Sequence, residues 1–373
     1  MLTNNTYTKP VKLSLVIPCY NEENTLKACI ERVQSISDDY LELELIIVDD
    51  CSDDASFGIA QDLARTHNNI KVIRHSVNQG KGAALKTGFS HATGDFIGIQ
   101  DADLEYNPKD LRRLIVPLVE GRADVVFGSR YLYSGERRIL YFWHSLMNRS
   151  LTFLSNMFSD LGLTDMETCY KIFRKEIIQS IQIAENRFGF EPEIVAKVSE
   201  LRCRVYEAPI SYDGRTYAEG KKINWKDGLR ALYCILHYGA HSSPLPVQFI
   251  IYIFIGSFAA LFNLVIFMLL INLFPVSLSA LAAFYGAAAF NYWLCVHLLF
   301  RKNIRWGSWT EQAVYFSAVT GIALIDMSIT LALSAWGTGI LLAKLTASGL
   351  VVVLNFLVRK YVVFPEKPPS DWK

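Results

Sequence analysis

The sequence predicts an α/β domain built on a mostly parallel sheet, followed by two amphipathic helices suited to a membrane surface and an all-α domain of four membrane-spanning helices. Three observations carry this. Short apolar runs alternate with amphipathic stretches through the first half, long uncharged apolar stretches fill the second, and charge is divided unevenly between them. Of the 37 Lys+Arg and 36 Asp+Glu in 373 residues, residues 244–373 hold 8 basic and 4 acidic ones. That distribution excludes a disordered chain and a nucleic-acid binder resting on bulk positive charge.

The first half reads as strands at Leu13–Pro18, Leu43–Val48, Ile70–Arg74, Asp95–Gln100 and Ala123–Gly128, with helical patterns between them. Such β-α alternation places a mostly parallel sheet under helices on both faces. Ligands of such sheets bind at the carboxyl ends of the strands. The residues there are Pro18-Cys19-Tyr20-Asn21-Glu22, Asp49-Asp50-Cys51-Ser52-Asp53, Asp101-Ala102-Asp103 and Ser129-Arg130. No G-x-G-x-x-G follows the first strand and Gly80-Lys81-Gly82 lacks P-loop spacing, so that glycine pair is expected as a tight turn before a helix. Asp101 and Asp103, two residues apart, share a side if the strand reaches them. Paired carboxylates of this kind favour a hard divalent cation, Mg²⁺ or Mn²⁺, bridging to phosphates.

Two stretches rich in aromatics, Ile139–Phe158 and Trp225–Tyr238, are neither of them long and apolar enough to span a bilayer, and suit its surface. Four spans follow at about 247–271, 277–300, 312–335 and 338–358, each near the roughly 20 apolar residues a bilayer core requires. Arg301, Lys302 and Arg305 between spans two and three, with Arg359 and Lys360 after span four, place the basic loop, the C-terminus and the large N-terminal domain on the cytoplasmic side. Asp326 and Lys344 are the charges expected inside the spans, either paired or with Lys344 reaching the interface. Asn291-x8-Phe300 and Asn355-x8-Phe364 form a weak internal repeat. Met1 to Pro10 is polar, so no cleavable signal peptide is expected. The 7 Cys form no C-x-x-C pair, which suits a reducing compartment. His237 and His241 have i,i+4 spacing but no third ligand, and are expected to be structural. The domain boundaries expected are 1–223, 224–243 and 244–373.

The run Val16-Ile17-Pro18-Cys19-Tyr20-Asn21-Glu22, then Ile47-Val48-Asp49-Asp50-Cys51-Ser52-Asp53, Asp101-Ala102-Asp103 and Gly128-Ser129-Arg130-Tyr131, resembles the GT-A catalytic domain of glycosyltransferase family 2. The segments DMETCYK (165–171), RFGFEPE (187–193) and PISYDGRTYAEGKK (209–222) narrow the resemblance to the polyisoprenyl-phosphate hexosyltransferases, and the second half is similar to a GtrA-type domain. The resemblance implies that Pro18, Tyr20, Glu22, Val48 and Asp50 hold the nucleoside, and that Asp101, Ala102 and Asp103 hold its ribose, metal and diphosphate. Asp103 is the implied metal ligand, with Glu105 beside it where many relatives have Gln. Arg130, Arg215 and Lys221 would neutralise phosphates, and Arg130 and Arg149 would hold the lipid phosphate. Asp101, Asp103, Arg130 and Arg215 are thus the expected catalytic set.

The activity implied is transfer of a hexose from a nucleotide sugar, GDP-mannose or UDP-glucose, to dolichyl or undecaprenyl phosphate at the membrane. A phosphomonoester has a second pKa of about 6, so its nucleophile is already ionised and no general base is needed. A single inverting displacement is expected. Two other readings stand beside it. A processive polysaccharide synthase would carry Q-x-x-R-W, for which the nearest match is Lys302-Asn303-Ile304-Arg305-Trp306, without the Gln. A non-catalytic lipid-binding or flipping protein would have lost the Asp101/Asp103 and Arg130/Arg215 constellation, which is intact.

Overall fold

The computed structural model describes residues 10–132, 138–139, 141–214, 225–300 and 308–364. Arg215, Lys221 and the basic loop holding Arg301, Lys302 and Arg305 lie outside these residues. The chain divides into two compact units, Met1–Ser242 and Ser243–Lys373.

The first unit is built on a seven-stranded sheet: β1 (Val11–Cys19), β2 (Leu41–Asp49), β3 (Ile70–Arg74), β4 (Phe96–Ile99), β5 (Val125–Ser129), β6 (Lys171–Arg174) and β7 (Val205–Pro209). Their order is β3-β2-β1-β4-β6-β5-β7. The five expected strands are present, and β1 pairs parallel with β2 and β4 while β2 pairs parallel with β3. β6 runs antiparallel between β4 and β5. Being buried on both faces, the strands read as continuous apolar runs: Leu13, Leu15, Val16 and Ile17 of β1 and Leu45 to Val48 of β2 have no exposed surface. In the register Cys19 lies opposite Asp49, so β1 and β2 end together and their loops leave the sheet side by side.

The Phe142–Ser159 and Trp225–Gly239 helices pack on each other. The first buries Asn148, Leu151, Thr152, Ser155 and Phe158 and exposes Phe142, Trp143, Met147 and Phe153, with Trp143 74% exposed. So much apolar and aromatic surface left outside one helix is unusual in water, where such surface is ordinarily withdrawn.

In the second unit four helices are long and apolar enough to cross a membrane: Leu245–Leu270, Val276–Leu299, Trp309–Ala335 and Ile340–Val363. The protein is a multi-pass membrane protein. Lys344 and Asp326 form an ion pair, and Ser348 Oγ also donates to Asp326, at 3.3 Å. Two further charges were not expected inside. Glu311 is fully buried, because the third helix begins before residue 312, and Arg359 is 5% exposed rather than in a solvated tail. The fourth helix continues past Val358 as a π-helical turn, Arg359–Val363, which carries Arg359 into the bundle. The Asn-x8-Phe repeat is a paired structure: Asn291 and Asn355 both accept from Arg359, and Phe300 stacks on Phe364 at 5.0 Å.

Candidate active site

The β1 and β2 loops clasp one another. Asn21 and Cys51 both adopt left-handed backbone, φ +53° and +61°, a conformation that non-glycine residues hold mainly where surrounding structure enforces it. Asn21 N–H donates to Ser52 Oγ at 3.1 Å and Asn21 Oδ1 accepts from Asp53 N–H at 2.9 Å. Glu22 N–H donates to Ser56 Oγ, and the Glu22 carboxylate accepts from Thr25 at 2.8 Å. Pro18 lies opposite Val48 in the β1–β2 register, and Tyr20 projects beyond them, 38% exposed. These expected nucleoside residues therefore form one lip of the sheet.

Asp50 is buried at that lip and uses its carboxylate inward. Oδ1 lies 2.7 Å from His75 Nδ1 and accepts from Gln79 N–H at 2.9 Å, and Oδ2 accepts from Gly80 N–H at 2.6 Å. Its visible work is to hold the 75–80 segment against the end of β2. Gly80, at φ +98°, then opens the Lys81–His91 helix. A Cβ on Gly80 would fall 2.4 Å from the Asn186 carbonyl oxygen, and one on Gly82 would fall 2.2 Å from that of Glu185. This close approach explains both glycines of the expected turn.

Between them Lys81 reaches Asp101 at 2.8 Å and Glu191 at 3.7 Å. Burial alone would lower the lysine, but the Asp101 and Glu191 carboxylates outweigh it and hold the ammonium well above its ordinary value. Asp101 is thus half of an ion pair. Ala102 and Asp103 are buried, and Asp103 Oδ1 accepts from Glu105 N–H at 3.2 Å. Glu105 in turn accepts from the Tyr212 hydroxyl at 2.6 Å. Burial and this carboxylate raise the Tyr212 phenol, which remains a donor.

Tyr212 also carries the Arg130 guanidinium over its ring, 5.1 Å from the centroid. Arg130 donates Nε and Nη2 to Asp165 at 2.7 Å each, and its backbone N–H to the same carboxylate. Burial opposes the charge and Asp165 overcomes it, so Arg130 stays firmly protonated. Beyond it a pocket is lined by Arg130, Tyr131, Arg138, Ser145, Arg149 and Tyr212. Arg149 lies over the Tyr131 ring at 5.0 Å. The structure therefore brings Arg130 and Arg149 together, adds Arg138, and joins the basic pocket to the Asp103–Glu105 side through one tyrosine. Arg138 carries no motif signal and is seen only once the chain is folded. Lys81 and Tyr212 lie in quoted segments but gained their roles from partners remote in sequence.

Behind the site Glu167 has one buried carboxylate oxygen, Oε1, without a hydrogen-bond partner. Burial, with the Glu191 charge adding to it, raises this carboxyl to about 7. The site is also tied to the Trp225–Gly239 helix. Arg230 makes two bonds to Glu185, at 3.0 and 2.8 Å, Tyr238 donates to the same carboxylate, and Asn186 O accepts from Ala83 N–H at 3.1 Å. His237 stacks on Tyr233, and His241 pairs with Glu200 at 2.9 Å, so both histidines have structural partners.

A GT-A-type sheet with a D-x-D segment past a central strand is the frame of a glycosyltransferase. Residues 14–182 match the glycosyl transferase family 2 model, and residues 251–364 match the GtrA/DPMS transmembrane domain. The chain is a glycosyltransferase in which a segment matching the family 2 model precedes one matching the GtrA/DPMS transmembrane domain. A dolichol-phosphate mannosyltransferase of Pyrococcus furiosus is 27% identical over 362 residues, covering 95% of this chain and 98% of that one. Among solved structures, glucosyl-3-phosphoglycerate synthase from Mycobacterium tuberculosis with Mn²⁺, UDP and glucosyl-3-phosphoglycerate is similar at 18% identity and a TM-score of 0.48, over 63% of this chain and 81% of that one. A second crystal structure of the same enzyme is similar at 19% identity and a TM-score of 0.48, over 61% of this chain and 81% of that one.

Proposed function

We propose that the protein transfers a hexosyl group from a nucleotide sugar, GDP-mannose or UDP-glucose, to the phosphate of a polyisoprenyl lipid. The observation that carries this is the wall formed by Tyr212, with carboxylates on one side and a pocket of three arginines on the other. A donor diphosphate suits the first side, and an anionic acceptor suits the second. The kinship with a dolichol-phosphate mannosyltransferase supports a dolichyl-type phosphate.

A divalent ion fits the carboxylate side. Asp103 is nearly buried with Glu105 two residues on, and Asp101 is already neutralised by Lys81. Among the described residues no group of three His, Cys, Asp or Glu is assembled for a metal. That suits Mg²⁺ or Mn²⁺ held by one or two carboxylates and completed by substrate phosphates. When bound, such an ion supplies positive charge at the leaving diphosphate. Asp103 and Glu105 would hold it, and Lys81 keeps Asp101 in place beside them. Arg130, oriented by Asp165, and Arg149 receive the acceptor phosphate and remove its repulsion from the donor. The acceptor oxygen attacks the anomeric carbon in line, with inversion, and needs no protein base because it arrives ionised. Arg215 and Lys221 join this set on the family resemblance.

The exposed aromatics of the Phe142–Ser159 helix, with Leu229, Tyr233 and Leu236 of the Trp225–Gly239 helix, suit the bilayer surface, so the pocket can take a headgroup while the isoprenoid stays in lipid. The basic loop at 301–305 supports placing the catalytic unit and the C-terminus on the cytoplasmic side. The test is a screen of nucleotide sugars with full-length protein and a short polyprenyl phosphate, with polyprenol as control. One sugar added to the phosphate, and none to polyprenol, is expected. Donor binding without turnover would favour the binding-protein reading, and repeated addition a polysaccharide synthase.

A further inference from the structure

Arg359 is a cation withdrawn into the end of the membrane-spanning helices. All four spans contribute to its surroundings. Nε donates to Asn355 Oδ1 at 3.0 Å and Nη1 to Asn291 Oδ1 and Cys295 Sγ. The guanidinium lies over the rings of Tyr252, at 5.3 Å, and Tyr315, at 4.9 Å. Tyr315 is itself fixed by donating to Ala288 O at 2.9 Å. No carboxylate pairs with Arg359 among the described residues. Amide oxygens and aromatic faces soften the cost of a buried charge, but an ion in a membrane domain ordinarily faces a counter-charge.

The unfilled groups of Arg359, Asn291 and Asn355 are donors, and the buried acceptor without a partner here, Glu311 Oε2, belongs to the carboxylate held by Tyr292. None of the bonds made by Arg359 uses Nη2, and among the described residues neither Asn291 nor Asn355 uses its side-chain NH2 group on a protein partner. Donors from two asparagines and the edge of a guanidinium, with no acceptor among them, define the complement of an oxyanion. A planar fork of this kind matches phosphate. The neighbours Phe249, Phe300, Phe356 and Phe364 give apolar surface beside it.

We propose that Arg359, Asn291 and Asn355 form an anion site in the membrane unit that takes the phosphate of a lipid headgroup. It is separate from the Arg130–Arg149 pocket and does not rest on the acceptor reading, since any phosphate-bearing lipid satisfies its chemistry. Its location inside the spans favours a lipid over free phosphate.

The experiment is hydrogen–deuterium exchange on the full-length wild-type protein in detergent, following residues 291–299 and 355–363. The probes are a polyprenyl phosphate, phosphatidylglycerol, polyprenol and inorganic phosphate. Either phosphate lipid is expected to slow exchange in both segments relative to polyprenol, and comparing the two tells acceptor lipid from bulk lipid. Equal protection by inorganic phosphate, or no difference from polyprenol, overturns the assignment. In an Arg149→Ala background, Arg359→Gln should weaken retention of the phosphate lipid by native mass spectrometry about ten-fold, the scale of one lost charge-assisted bond. Unchanged retention by a folded variant overturns it too, and if that variant does not fold, the wild-type exchange result decides.

Discussion

Arg130 and Arg359 are both guanidiniums withdrawn from water, and the two units surround them in opposite ways. Arg130 meets a carboxylate, Asp165, in a two-pronged pair that neutralises it and aims it past Tyr212. Arg359 meets two amide oxygens, a thiol and two aromatic rings. The first arrangement is complete without a ligand, so it suits a residue that must stay in one orientation through a catalytic cycle. The second retains its net charge and its unused donors, so it suits retention of an anion. Which neighbour a buried arginine is given, rather than its burial, separates the two roles.

The largest effect should come from making the soluble site resemble the membrane one. Asp165→Asn leaves Arg130 buried without a counter-charge, and breaking such a pair costs about 3–5 kcal/mol. Denaturant unfolding of the full chain, followed in the soluble unit, checks this; a loss below about 1 kcal/mol would mean that the pair does not support Arg130. Asp103→Asn should cut sugar-lipid formation by about 10²- to 10³-fold, the scale of one lost electrostatic stabiliser, without unfolding the protein. Near-normal turnover with excess chelator present would remove the metal from the account.

The reverse exchange is smaller. Asn355→Asp gives Arg359 a carboxylate, and should raise the thermal midpoint by about 2–4 °C for each kcal/mol gained while lowering phosphate-lipid retention about ten-fold. Retention equal to wild type would dissolve the contrast between the two arginines. A further effect concerns Glu167, which burial and Glu191 raise from an ordinary value of 4.5 to about 7. The folded chain then keeps a proton that the unfolded chain loses, so stability falls as pH rises from about 4.5 to 7 and levels off above. Glu167→Gln should flatten that slope, read as denaturation midpoint against pH.

Much of the framework was legible because it rests on local pattern. The apolar runs of β1 to β5 and the four long apolar helices each announce themselves within about 5 to 25 consecutive residues. The D-x-D segment and the glycine turn at Gly80–Gly82 were visible for the same reason. Strand β6 was not, because four residues, Lys171–Arg174, carry no usable period, and its Lys171 reads as surface until Glu191 is placed 2.5 Å away.

The chain alone determined the two classes of domain and the strand ends that meet at one lip of the sheet. Only the tertiary structure decided how their charges are used. Lys81 meets Asp101 across 20 positions, Arg130 meets Asp165 across 35 and Arg359 meets Asn291 across 68. Hydrophobic periodicity records which face of an element is withdrawn from water, whereas the state of a buried charge depends on whichever group the fold sets within a few ångströms of it.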